Sequence, residues 1–187
     1  MFTNLLWTGT EYHSLENCLV KSVANGFEID SIIIGFYQDT IFRVAYKIKT
    51  TMSWETNYLE IHSRFNNERH HSLFESDANG NWKFNGNADK KFSGCIDVDL
   101  SLTPFTNTLP VNRLNMDIQN EQVIEVLYCD VLQNEFRKVN QRYIRLSDAI
   151  YRFQNVPNDF ESEIEVDGNG FIVNYPQLFK RTAIYSV

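Results

Sequence analysis

From Ile96 to Thr103 apolar and polar residues alternate strictly. Ile96, Val98, Leu100 and Leu102 fall on one face of an extended strand, and Asp97, Asp99, Ser101 and Thr103 on the other. The strand runs into a hydroxyl- and amide-rich stretch containing Thr106, Asn107 and Thr108, between Pro104 and Pro110. Proline fixes φ and removes a backbone donor, so this stretch is expected to be a stiff polar turn. Runs rich in β-branched and aromatic residues cover 32–36, 40–49, 54–63, 122–131, 140–146 and 150–154. Asn25-Gly26, Asn79-Gly80, Asn85-Gly86 and Asp167-Gly168 stand between them as hairpin signals, because they supply the positive φ angles of tight turns. No stretch of a dozen residues carries a helical period. The pattern predicts an all-β protein with little helix: a sandwich, roll or barrel of antiparallel strands.

No linker or low-complexity tract interrupts the 187 residues, so one domain spanning 1–187 is expected. A faint internal echo, Glu16 before Asn25-Gly26-Phe27 and Glu161 before Asn169-Gly170-Phe171, is compatible with two similar β units or with chance. Hydrophobic residues make up 43% of the chain, enough to bury a core. The formal charge of -7 lacks the basic footprint of a non-specific nucleic-acid binder, so no nucleic-acid partner is expected. Cys18, Cys95 and Cys129 form an odd, widely spaced set that suits a reducing compartment. The first residues lack a basic start followed by an apolar run, and no stretch reaches the roughly 20 apolar residues of a membrane helix. A cytoplasmic protein without membrane insertion is expected.

Candidate chemistry is sparse. Asp97 and Asp99 are two apart on one strand, so their backbones lie roughly 6–7 Å apart. Such a pair serves acid/base work, a hard cation or hydrogen bonding to a ligand, and it equally describes the solvated face of a half-buried strand. Thr106 and Asn107 suit a hydroxyl-rich ligand or a turn bonded to itself. Arg113 is placed to neutralise the strand carboxylates or to meet an anionic headgroup. Two carboxylates on one face repel, so a polar network is expected to join Asp97, Asp99, Thr106, Asn107 and Arg113 to the strand carrying Gln141, Arg142 and Tyr143. His13, His62, His70 and His71 show no metal-ligand spacing, so no metal is expected. Neither a GxSxG elbow nor a nucleotide-binding glycine motif is present, so no catalytic residue and no cofactor are assigned.

The run Gly94-Cys95-Ile96-Asp97-Val98-Asp99-Leu100-Ser101, continuing through Thr103-Pro104-Phe105-Thr106-Asn107-Thr108-Leu109-Pro110 to Arg113-Leu114, resembles the signature of the bacterial putative glycolipid-binding family. Trp7-Thr8-Gly9, Tyr46, the segment after Trp54, Gln141-Arg142-Tyr143 and Val173-Asn174-Tyr175-Pro176-Gln177-Leu178-Phe179 extend the likeness from about Trp7 to Arg181. One departure is Glu55 after Trp54, where a basic residue is usual. The resemblance implies a many-stranded antiparallel open roll or partial barrel, similar to lipoprotein-carrier proteins. It also implies non-catalytic binding of a lipid or glycolipid in the hollow of the curved sheet. The residues of the expected polar network, Asp97, Asp99, Thr106, Asn107, Arg113, Gln141, Arg142 and Tyr143, are the expected ligand-binding residues. The alternatives are an enzyme working on a hydroxyl-rich substrate through Asp97 and Asp99, or a protein-interaction module.

Overall fold

The computed structural model describes residues 2–187. Eight strands lead: β1 (Phe2–Gly9), β2 (Ser14–Val23), β3 (Gly26–Tyr37), β4 (Thr40–Thr50), β5 (Thr56–Phe65), β6 (Glu68–Ser76), β7 (Trp82–Phe84) and β8 (Asn87–Ala88). After a short 3-10 turn come β9 (Asp97–Leu100), helix α1 (Phe105–Leu114) and β10 (Glu121–Asp130). The chain ends with β11 (Glu135–Arg145), β12 (Ile150–Val156), β13 (Glu161–Val166), β14 (Ile172–Tyr175) and β15 (Phe179–Ser186).

All fifteen strands lie in one sheet, ordered β8 to β1 and then β15 down to β9. Two meanders are therefore joined where the first strand pairs with the last, Leu5 opposite Ile184. Every pairing is antiparallel except β9 with β10, whose parallel register requires the crossover that α1 supplies. The sheet is an open roll, with β8 and β9 as its two free ends. The segment leading into β9 touches the first meander, through bonds from the Gly94 amide to the Gly80 carbonyl at 3.0 Å and from the Thr56 amide to the Ile96 carbonyl at 3.3 Å. No helix among the described residues is long and apolar enough to cross a membrane.

Alternation decides which side chains enter the interior. On β4, Phe42, Val44, Tyr46 and Ile48 are buried while Arg43 is exposed. Two clusters fill the inside. One gathers Trp7, Ile33, Phe42 and Phe74 with Phe105 and Leu109 of α1; the other gathers Tyr143, Phe153, Ile164 and Ile172 with Val111 of α1. Trp7 ties them together, donating from Nε1 to the Ile172 carbonyl at 2.9 Å. Trp7→Phe removes that donor and leaves the buried carbonyl unpaired, so a loss of about 1–3 kcal/mol is expected in urea unfolding. An unchanged midpoint would refute this role.

The stretch expected to be a polar turn is a helix. Its start is set by the Thr103 hydroxyl, which accepts from the Phe105 amide at 3.0 Å, and its end by Asn115 at φ 41°. Phe105 through Val111 are all buried because α1 is wedged between the two clusters. A helix covered on every side shows no amphipathic period, and the internal Pro110 hides it further. A second difference lies at Trp54, which stands in a turn at φ 68° before β5 and stacks on Phe27 with centroids 4.1 Å apart.

Candidate functional site

Strand β9 pairs with β10 along one edge and packs against the helix that follows it. Asp97 is fully buried, which overturns the reading of the two aspartates as a solvated face. Both carboxylates meet α1, through partners about two turns of helix apart. Arg113, in the last turn, grips Asp97 with Nε at 3.0 Å from Oδ1 and Nη2 at 2.5 Å from Oδ2. Burial raises the Asp97 carboxyl above its ordinary range, and the guanidinium offsets part of that rise.

Asp99 has only neutral partners. Thr106 donates to Oδ1 at 2.9 Å and Gln141 of β11 donates to Oδ2 at 2.6 Å. Burial again raises its carboxyl, with Gln141 and then Thr106 opposing the rise. Asn107 donates to the Tyr143 hydroxyl at 2.8 Å, and that hydroxyl lies 3.5 Å from the Gln141 side-chain oxygen. The structure thus joins Asp99, Thr106, Asn107, Gln141 and Tyr143 in one network, with the Asp97–Arg113 pair beside it as a separate unit. Arg142 is not part of either. It projects from the opposite face of β11, and its Nε has no hydrogen-bond partner among the described residues.

Beside this network lies a cleft of about 240 Å³. Asp99 and Asn107 line it, and Asp97 does not. Six rings form its walls: Tyr12 from the β1–β2 turn, Tyr128 from β10, Phe153 from β12, Phe160, Tyr175 from β14 and Phe179 from β15. Tyr175 packs edge-on to Phe153 and Phe179, with centroids 6.3 and 6.1 Å apart. Burial, and after it the charge of Asp99, raises the Tyr128 and Tyr175 phenols, so both rings present hydroxyl groups. The arrangement offers flat apolar faces, phenolic donors, one amide and a carboxylate within a single hollow.

None of the six rings stood out as a binding residue in the sequence, although Tyr175 and Phe179 belong to the family-like segment near the end of the chain. They come from six separate elements, and for the four on strands only parity, an alternation shared by dozens of other residues, hinted at a common side. A buried glutamate was also missed. Glu16 of β2 lies inside the larger cluster, its Oε1 accepting from Ser31 and Tyr46 at 2.7 Å each and from Thr103 at 2.9 Å. Across β5 and β6, Glu60, His62 and His71 bring three potential ligand atoms within 4.8 Å of one another. His62 and His71 are nine residues apart and meet only through the strand register. Arg64 and Arg69 occupy the neighbouring row, roughly 6–7 Å along each strand, and would repel a cation held there.

The structure defines a class of protein, an all-β open roll whose inner hollow holds an aromatic cleft and a fixed carboxylate. Within that class, the chain belongs to the family described as "Putative glycolipid-binding", whose sequence model matches residues 4–181. Two solved structures are similar. A DUF1089-family protein from Pseudomonas aeruginosa superposes with a TM-score of 0.82 at 24% identity, covering 89% of this chain and 92% of that one. A β-barrel-like protein of domain of unknown function DUF1849 from Brucella abortus gives a TM-score of 0.56 at 7% identity, covering 98% of this chain and 96% of its own. At these identities the likeness is one of fold. No curated protein matches the sequence.

Proposed function

We propose that this protein binds a glycolipid without transforming it, taking the sugar-bearing headgroup into the aromatic cleft. One observation carries the reading: the Asp99 carboxylate stands among six aromatic rings, fixed by Thr106 and Gln141 and paired with no cation among the described residues. Sugar rings present C–H faces that pack on aromatic side chains and hydroxyls that donate to a carboxylate. A volume near 240 Å³ is below the ~300–1,000 Å³ of pockets for drug-sized ligands, so it suits one headgroup and leaves the acyl chains outside. The two-carboxylate enzyme reading has less support, because Asp97 is sealed in its ion pair and only Asp99 reaches the cleft.

Native mass spectrometry of the full chain, with organic extraction of anything that co-purifies, tests for a bound lipid. Titration with n-octyl glucoside by calorimetry then tests the cleft. Asp99→Asn is expected to weaken binding at least about tenfold, the scale of one charged hydrogen bond, while the melting temperature shifts little. Binding unaffected by this substitution would defeat the assignment.

A further inference from the structure

The outer face of the first meander is organised in rows of directly opposed residues. Two rows pair their charges: Lys47 with Asp30 at 3.6 Å, and Lys49 with Glu28 at 3.4 Å. The row nearest the β1–β2 turn does the opposite. It runs Leu15, Ile34, Arg43, Arg64, Arg69 across β2 to β6, so three guanidiniums stand side by side. Like charges directly opposed on neighbouring strands repel. Among the described residues no carboxylate lies within 4.0 Å of any of the three. Acidic residues are not scarce, since the chain carries 24 of them against 17 basic ones.

Next to the arginines the same face is apolar. Leu15 is 43% exposed, Ile34 52% and Ile41 68%, and Phe36 opposite Ile41 is 45% exposed. Leu15, Ile34, Ile41, Arg43 and Arg64 line a groove of about 1090 Å³. Thr10 and His13 form its far wall, whereas Glu11 and Tyr12 of the same turn line the inner cleft, so the turn separates the two hollows. Scattered exposed aliphatics are ordinary, but here they are contiguous and edged on one side by unpaired cations.

We propose that this outer groove is a second ligand site, taking the phosphate of an anionic lipid on Arg43 and Arg64, with Arg69 on the next strand beyond the groove adding its charge, and its acyl chains along Leu15, Ile34 and Ile41. Guanidinium forks match phosphate oxygens in pairs, which would relieve the repulsion that the row otherwise carries. The groove offers aliphatic walls in place of the stacking rings that single-stranded nucleic acid uses. A two-fold contact with a second copy through this face would set arginine rows near one another. The inference goes beyond the headgroup cleft and does not depend on it.

Dihexanoyl phosphatidic acid, titrated as monomer into the full chain, is the probe, with dihexanoyl phosphatidylcholine and inorganic phosphate as the comparison arms. The phosphatidic acid is expected to bind more tightly than either, and more weakly as salt is raised. Arg64→Glu is expected to reduce binding at least about tenfold while leaving the melting temperature unchanged or raised, because the new carboxylate would lie between Arg43 and Arg69. Ile34→Asn should weaken the lipid and leave phosphate alone unaffected. Equal binding of inorganic phosphate, equal binding of phosphatidylcholine, absence of binding, or a fall of several degrees in Arg64→Glu would each overturn the proposal. So would loss of phosphatidic acid binding in Asp99→Asn with full binding in Arg64→Glu, a result that places the lipid in the inner cleft.

Discussion

Arg113→Ala is expected to destabilise the fold by about 3–5 kcal/mol, the cost of leaving a buried charge without its partner. Asp97 has no exposed surface, and among the described residues the Arg113 fork supplies its only side-chain bonds. The pair also fastens the last turn of α1 to the end strand of the sheet, so its loss frees the helix that both core clusters pack against. The penalty has a pH signature. Burial already raises the Asp97 carboxyl above its unfolded value, and removing the guanidinium raises it further. In acid the variant's Asp97 is protonated in both states, and only the lost bonds count. As pH rises the unfolded chain releases its proton first, so the deficit widens toward pH 8. Urea unfolding at pH 5 and pH 8 reads this directly. The double variant Asp97→Asn/Arg113→Met, which removes both charges, is expected to recover much of the loss at pH 8. A deficit independent of pH, with no recovery in the double variant, would show that the buried charge is not its source.

The second large effect belongs to Glu16. Burial raises its carboxyl from an ordinary 4.5 to about 7, although Tyr46, Ser31 and Thr103 oppose the rise by donating to Oε1. Its other oxygen has no partner among the described residues. Below about pH 4.5 both the folded and unfolded chains carry the proton, and the group is neutral toward stability. Between 4.5 and 7 the unfolded chain loses it first, and stability falls by about 1.4 kcal/mol per pH unit, to a total of about 3 kcal/mol above pH 7. Asp97 and Asp99, also raised by burial, act in the same direction. Glu16→Gln keeps an acceptor for the three hydroxyls and removes the titration. It is expected to exceed the parent protein by less than about 1 kcal/mol at pH 5 and by up to about 3 kcal/mol at pH 8. Stability curves of parent and variant that run parallel from pH 5 to pH 8 would exclude this role for Glu16.

Much of the fold is written in local pattern. Phe42-Arg43-Val44-Ala45-Tyr46-Lys47-Ile48 announces a strand with one apolar face, and Asn25-Gly26 announces the turn that joins β2 to β3. The polar network around Asp99 was partly legible as well, since the alternation at 96–103, of which 97–100 is strand, puts Asp97 and Asp99 on one side and their mutual repulsion calls for partners. The helix was not legible, because residues 105–111 are buried on all sides and lack a polar face to betray a period. Nor was Glu16. On β2, Leu15 and Leu19 point one way while Cys18 and Val20 point the other, so either face has the composition of an interior. The structure puts Cys18 and Val20 inside, carries Glu16 with them into the core, and leaves Leu15 on the outer groove.

The amino-acid sequence by itself determined where strands form, which residues share a face, and that the chain could bury a core; these are consequences of a two-residue repeat and turn chemistry acting over a few bonds. Tertiary structure alone decided which face is inside and which distant residues meet. That choice rests on the curvature of the whole sheet and on the pairing of β1 with β15, nearly the full chain length apart. The cleft needs Tyr12, Tyr128, Phe153 and Tyr175 from strands and turns across that join, and the arginine row needs the register of three consecutive strands. Neither exists until long-range pairing fixes both.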